Sequence, residues 1–139
     1  MFTLTLVTPE KKIVAGAEIE EVFVPAYRGE LNILPGHAPL LTTLNTGVLK
    51  YRLKGESKLN YVAVSWGYCQ VNPNGVNILA ETAERPEEID LKRVETAQSE
   101  AERRIVGESM DMLSLDKMQN KIARARVRRE VATHTGGRD

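Results

Sequence analysis

The sequence predicts two units of different kinds: an N-terminal antiparallel β-sandwich or barrel over residues 1–86 and a C-terminal two-helix antiparallel hairpin over residues 87–139. Three observations lead there. All six prolines, seven of the ten glycines and all seven aromatic residues lie at or before Pro86. Up to that point, short runs rich in Val, Ile, Thr and aromatics are separated by turn signals about every 8 to 12 residues. Beyond it, the apolar period changes from two to between three and four.

Each element has its own reason. Phe2 to Val7 alternates ahead of Thr8-Pro9-Glu10, and Ile19 to Val24 alternates ahead of Pro25, so both read as strands with one buried face. Two glycines and two prolines (Gly29, Pro35, Gly36, Pro39) frame an apolar strand and an exposed turn, which makes a rigid protruding loop. Val48 to Leu53 precedes Lys54-Gly55-Glu56. Tyr61 to Val64 and Tyr68 to Val71 flank Gly67 as separate runs, and Val76 to Ala80 follows the Asn72-Pro73-Asn74-Gly75 turn. The expectation is about ten short strands.

Asp90 reads as the N-cap of the first helix, with Ile89 and Val94 at the hydrophobic-staple positions and Glu87 and Glu88 facing the positive helix end. Its stripe is Leu91, Val94, Ala97, Ala101 and Ile105. A break from Gly107 to Leu113 and an N-cap at Ser114 open a second helix with the stripe Leu115, Met118, Ile122 and Ala125. Both stripes are thin and alanine-rich, so neither helix is stable alone in water and the hairpin must lean on something else. Such an arm is moved by a modest change of partner or ligand.

Composition excludes several functions. Nineteen Lys and Arg balance nineteen Asp and Glu, whereas a dedicated nucleic-acid coat or polybasic membrane anchor carries a positive excess. With 42% hydrophobic and 27% charged residues the chain reads as globular, neither disordered nor membrane-spanning. The N-terminus lacks a secretory signal, and the single Cys69 fits a reducing cytoplasm. No phosphate loop, nucleophile elbow, paired-histidine zinc motif or dinucleotide fingerprint is found. His37, His134 and Cys69 are scattered, and Glu18 and Glu20 take outward strand positions. The reading is a binding or coupling protein, not an enzyme.

Charge is unevenly placed in the hairpin. Residues 87–111 carry eight acids against four bases, and residues 112–139 carry seven bases against three acids, giving −4 and +4. Lys121, Arg124 and Arg128 form a basic ridge on the second helix, with Arg126 and Arg129 beside it. An alternative reading is a small nucleic-acid-binding module using this ridge. No aromatic follows Tyr68, so the ridge lacks a base-stacking platform. A helix start with nearby carboxylates and Arg93 one turn on can also hold a polar ligand.

The order of features resembles the epsilon subunits of bacterial F-type ATP synthases. The likeness is carried by Gly29-Glu30-Leu31-Asn32-Ile33-Leu34-Pro35-Gly36-His37-Ala38-Pro39-Leu40-Leu41-Thr42, by Leu79-Ala80-Glu81-Thr82-Ala83-Glu84, by Ile89-Asp90-x-x-Arg93 and by the Arg-rich second helix. It covers the chain apart from the Thr135 to Asp139 tail. It implies a ten-stranded β-sandwich and a helical hairpin riding on the central rotor stalk, non-catalytic, at the cytoplasmic face of the bacterial plasma membrane and reaching the membrane only through the complex.

In that family one loop, here Glu30 to His37, faces the ring of c subunits, and another sandwich face grips gamma. The hairpin blocks ATP hydrolysis when extended, which assigns Arg124, Arg126, Arg128 and Arg129 to acidic surface on the alpha and beta subunits. No cofactor is required. Some members bind a regulatory ATP on the folded hairpin; Glu84, Ile89, Asp90 and Arg93 match that pattern here, and Arg124 and Arg128 have the spacing of its two second-helix arginines. Val94 departs from it where the motif has Ala, and Glu100 stands where ATP-binding relatives can carry a base.

Overall fold

Seven strands, one 3-10 turn and two helices follow in order in the computed structural model, which describes residues 1–107 and 111–133. The strands are β1 (Thr3–Val7), β2 (Lys12–Ala26), β3 (Gly29–Ile33), β4 (Leu40–Leu44), β5 (Gly47–Leu53), β6 (Asn60–Asn72) and β7 (Gly75–Glu84). A 3-10 turn at Pro86–Glu88 leads to α1 (Leu91–Gly107) and α2 (Met112–Ala132). His134, Glu108 and the tail from Thr135 lie outside the described residues.

The expected β-plus-hairpin class is what the chain adopts, with two corrections. Strands number seven among the described residues, where the sequence suggested about ten, because long bent strands absorb runs that looked separate. The runs on either side of Gly67 are both parts of β6. Its bend is local: Trp66 has φ 52° and Gly67 φ 136°. A Cβ on Gly67 would sit 2.0 Å from the Leu79 carbonyl oxygen, so the chain keeps β6 against β7 there only by having no side chain. The second correction is that the sheet is not wholly antiparallel, since β1 runs parallel to β7.

β4 and β5 lie along β6 in one register, Leu44 opposite Gly67 and Gly47 opposite Val64. They break at Asn45 and Thr46, beside the β6 bend, and Thr46 and Ser65 join their hydroxyls at 2.8 Å across the gap. Strand β2 pairs with β1, β3, β4 and β5 in turn, and β1 pairs with both β2 and β7. Inward residues alternate as a half-buried strand requires: Leu4 and Leu6, Val22 and Val24, Val62 and Val64, Val76 and Ile78 are all fully buried. In β6 the alternation fails from Tyr61 to Ser65, all five buried. One face of that stretch meets the sandwich core and the other, Tyr61 and Ala63, meets Val131 of α2.

Asp90 caps α1 as expected, its Oδ1 accepting from the Arg93 N–H at 3.2 Å. The cap of α2 is Asp111, not Ser114: Asp111 Oδ1 accepts the Ser114 N–H at 2.7 Å, which makes Ser114 the capped residue. That bond, with further help from the Ser114 side chain, holds the Asp111 carboxyl below its ordinary value. The buried stripe of α1 also differs. It is Val94, Gln98 and Ala101, while Leu91 and Ala97 are exposed. Met118, Ile122 and Ala125 of α2 are buried as the spacing predicted, and Ala101, Met118 and Ile122 pack together with Ile105. No helix among the described residues is long and apolar enough to cross a membrane.

Candidate functional site

A cleft of about 630 Å³ opens between the sandwich and the hairpin. One wall is the β1–β2 turn and the end of β7; the other is the facing surfaces of α1 and α2. Three of the six residues matched to a nucleotide pattern line it: Glu84 at the end of β7, and Arg124 and Arg128 one turn apart on α2. Arg128 Nη2 donates to Glu84 Oε2 at 3.0 Å. Its Nε lies 2.7 Å from Oε1 without an aligned N–H, so the pair is an ion pair with one good hydrogen bond, not a closed two-bond fork. Both side chains are about one-third exposed, which limits the pair to about 1 kcal/mol or less.

The other three residues stand elsewhere. Asp90 and Arg93 line a shallow depression on α1 that shares Ala97 and Glu100 with the cleft. Ile89 is packed against the Tyr61, Ala63 and Val131 cluster. Glu100 does face the cleft, whose lining holds five bases (Lys11, Arg104, Lys121, Arg124, Arg128) against four acids (Glu10, Glu81, Glu84, Glu100). That near balance offers a polyanion only a small net attraction.

The four arginines assigned to inhibitory contacts are differently engaged in the folded chain. Arg124 faces the cleft, Arg128 is held by Glu84, and Arg129 Nη1 donates to the buried Gln98 Oε1 at 3.1 Å. Arg126 is exposed. The basic ridge is therefore partly turned inward, and Gln98, which apolar periodicity overlooked, is what ties α1 to Arg129.

Glu30 on β3 sits 3.2 Å from Lys50 Nζ, and Lys50 stands opposite Tyr61 of the docking cluster, so Glu30 lies on the side of the sandwich that the helices cover. His37 lies in the turn between β3 and β4, with Nδ1 2.7 Å from its neighbour's carbonyl, Ala38 O. The Gly36 N–H donates to Pro73 O at 3.2 Å, bracing this turn against the one between β6 and β7. On the outer surface of β4, β6 and β7, Tyr68 stands opposite both Thr43 and Leu79. With Leu41 it forms an apolar patch in which Leu41, Tyr68 and Leu79 are each at least half exposed.

Comparison with known proteins bears on the whole chain. Residues 1–86 match the family model for the ATP synthase, Delta/Epsilon chain, beta-sandwich domain. A protein of Bdellovibrio bacteriovorus called ATP synthase epsilon chain is 53% identical over 129 residues, covering 93% of this chain and 92% of that one. The chain belongs to the ATP synthase epsilon-chain family.

A Geobacter metallireducens epsilon chain is 42% identical over 127 residues, covering 91% of this chain and 90% of its own length. Among solved structures, a chain in the Euglena gracilis mitochondrial ATP synthase, OSCP/F1/c-ring in rotational state 1, superposes with a TM-score of 0.82 at 25% identity, covering 96% of this chain and 81% of that one. A chain of the Tetrahymena thermophila mitochondrial ATP synthase central stalk and c-ring has the same fold, with a TM-score of 0.64 over 94% of this chain and 96% of that one at 19% identity. As an epsilon-family member, the chain has its cleft at the seam between the family's sandwich domain, residues 1–86, and the helices that follow.

Proposed function

We propose that this epsilon-family chain is a non-catalytic subunit of the central stalk of an ATP synthase, coupling ion flow through the membrane ring to ATP synthesis and restraining ATP hydrolysis with its helical arm. The division of labour falls at residue 86. The sandwich, residues 1–86, holds gamma through the Leu41, Tyr68 and Leu79 patch and meets the c-subunit ring through the segment from Glu30 on β3 to His37 in the turn that follows. The arm, residues 87–139, reaches the alpha and beta subunits when extended. The protein sits at the cytoplasmic face of the bacterial plasma membrane and reaches the membrane only through the complex.

The observation that carries this reading is how lightly the arm is held. Its attachment to the sandwich centres on Val131 and the half-buried Val127 against Tyr61, Ala63, Val48 and Leu59, and on the Glu84–Arg128 pair. Fully burying a valine such as Val131 is worth about 1.5–3 kcal/mol, and the half-buried Val127 adds less. Extension would free Arg128 from Glu84, and parting of the two helices would free Arg129 from Gln98 and present a +4 helix to acidic surface. Replacing Arg124, Arg126, Arg128 and Arg129 with glutamine should raise ATP hydrolysis by the assembled complex; undiminished inhibition would contradict the assignment.

Regulatory ATP belongs to the same proposal, with no cofactor needed for coupling. Arg124 and Arg128 fit an anion and Glu84 a hydroxyl, so a nucleotide in the cleft would bridge sandwich and arm and hold the arm folded. To reach Arg128 it must displace Glu84, and it enters a cleft of near-zero net charge, so binding is expected to be weak. Calorimetric titration with magnesium-free ATP should give heat that Arg124→Gln abolishes. No heat up to millimolar ATP would remove this part of the proposal.

A further inference from the structure

Between the last strand and α1 lie six residues, 85–90, enough for a free tether that could turn at any of them. They are not free. The Arg85 guanidinium reaches back into the sandwich, Nη1 donating to Tyr51 Oη at 3.2 Å and Nη2 to the Ile13 carbonyl. Both partners are in the core, with Tyr51 3% and Ile13 8% exposed. The Arg85 N–H donates to Glu88 Oε1 at 2.9 Å, and Glu88 Oε2 accepts from Lys11 of the β1–β2 turn. That turn is itself closed, with the Thr8 N–H donating to the Lys11 carbonyl at 2.8 Å and the Lys11 N–H to Thr8 Oγ1 at 3.1 Å.

Inside the linker, Pro86 fixes its own φ, the Glu88 N–H donates to Arg85 O at 3.0 Å and the Ile89 N–H to Pro86 O at 3.2 Å. Residues 85–88 are thus tied to the β1–β2 turn, to β2 and to β5. Asp90 faces the other way. Its side chain caps Arg93 and its carbonyl accepts the Val94 N–H, both within α1. Ile89, with φ −95° and ψ 123°, stands between the two sets of bonds, and it packs on a cluster that loses Val131 when α2 leaves.

We propose that the rigid body of the sandwich extends through Glu88, that Ile89 is the pivot of the helical arm, and that Arg85 is the residue that positions it. The inference rests on the proposed mobility of the arm for its use, but the latch itself is a property of the folded chain. Charge-assisted bonds of this kind hold the linker to the sandwich where strand pairing has run out.

Amide hydrogen exchange on the full-length chain tests it. Val131→Asp buries a carboxylate in the docking cluster and should release the arm, so exchange in α1 and α2 rises while the Glu88 and Ile89 amides keep their protection. Arg85→Ala should speed exchange at Glu88 and Ile89 by at least about tenfold. Ile78 and Ala80 of β7 should stay protected, which shows that the sheet is still folded. Arg85→Lys, able to reach one acceptor in place of two, should recover part of the lost protection. Glu88 and Ile89 opening together with the helices in Val131→Asp, or staying protected in Arg85→Ala, would overturn the proposal. Helices that remain protected in Val131→Asp would instead count against the weakly docked arm, leaving the Arg85 variants to decide the latch.

Discussion

In the sandwich, twenty buried residues from Phe2 to Ala83 form one continuous cluster, whereas Ala101, Met118 and Ile122 hold the two helices together and Val131 with Val127 against Tyr61, Ala63, Val48 and Leu59 holds the arm to the sandwich. The difference sets two energy scales. Losing a core leucine from the first costs about 2–5 kcal/mol. Undocking the arm breaks contacts worth only a few kcal/mol in all. A ligand at a hundred times its Kd shifts an equilibrium by about 2.7 kcal/mol, enough to decide where the arm lies and too little to disturb the sandwich. One chain can therefore combine a rigid mount with a movable part.

The comparison breaks first at the core. Leu49→Ala, at a site with 0% exposure, should destabilise the sandwich by about 2–5 kcal/mol in urea unfolding followed by Trp66 fluorescence. A loss below about 1 kcal/mol would mean that the sandwich is no more tightly packed than the arm. Val131→Ala should weaken docking by about 1–2 kcal/mol, seen as faster exchange in α2, with the urea midpoint of the sandwich unchanged. Glu84→Gln should have a smaller effect, under about 1 kcal/mol, with hydrolysis by the complex rising modestly as Arg128 is released.

Two effects sharpen the picture at its margins. The bond from Lys11, then the Arg85 backbone N–H, holds the Glu88 carboxyl below the ordinary value of 4.5. A carboxyl depressed in the folded chain contributes stability that is complete above that ordinary value and disappears as pH falls through the depressed one. Protection at Glu88 and Ile89 should therefore be flat from neutral pH down to about 4.5 and fall below it, while β7 is unaffected. Asp111→Ala should reduce the helicity of α2 slightly by circular dichroism and leave the sandwich untouched.

How much of this was legible in the sequence depended on whether the signal was local. The β1 run, the turn at 72–75, the Asp90 cap and the helical stripe through Met118, Ile122 and Ala125 are set by near neighbours, and each appears where the residue pattern put it. Strand continuity through Trp66 and Gly67 was not legible, because a glycine in a strand reads as a break and here serves as a bend against β7. The parallel pairing of β1 with β7 joins segments some seventy residues apart, which no periodicity reports. Asp111 was missed because Ser114, its partner, is an equally good capping residue type.

Of the candidate site, Glu84, Arg124 and Arg128 converge on one cleft although their pairing spans forty-four residues, and the family pattern supplied what spacing alone did not. Arg85 and Lys11 carried no signal in the sequence. Their roles come from acceptors on β2 and on the linker that only the folded chain brings near.

The division into mount and arm is tested most directly in the assembled synthase, with this chain complete or ended after Glu88. Ion-driven ATP synthesis and ATP hydrolysis would be measured separately for both. The predicted result is that synthesis persists while hydrolysis rises, because the latched sandwich stays in place and the restraint is gone. Hydrolysis that does not rise, or synthesis that is lost with the helices, would contradict it.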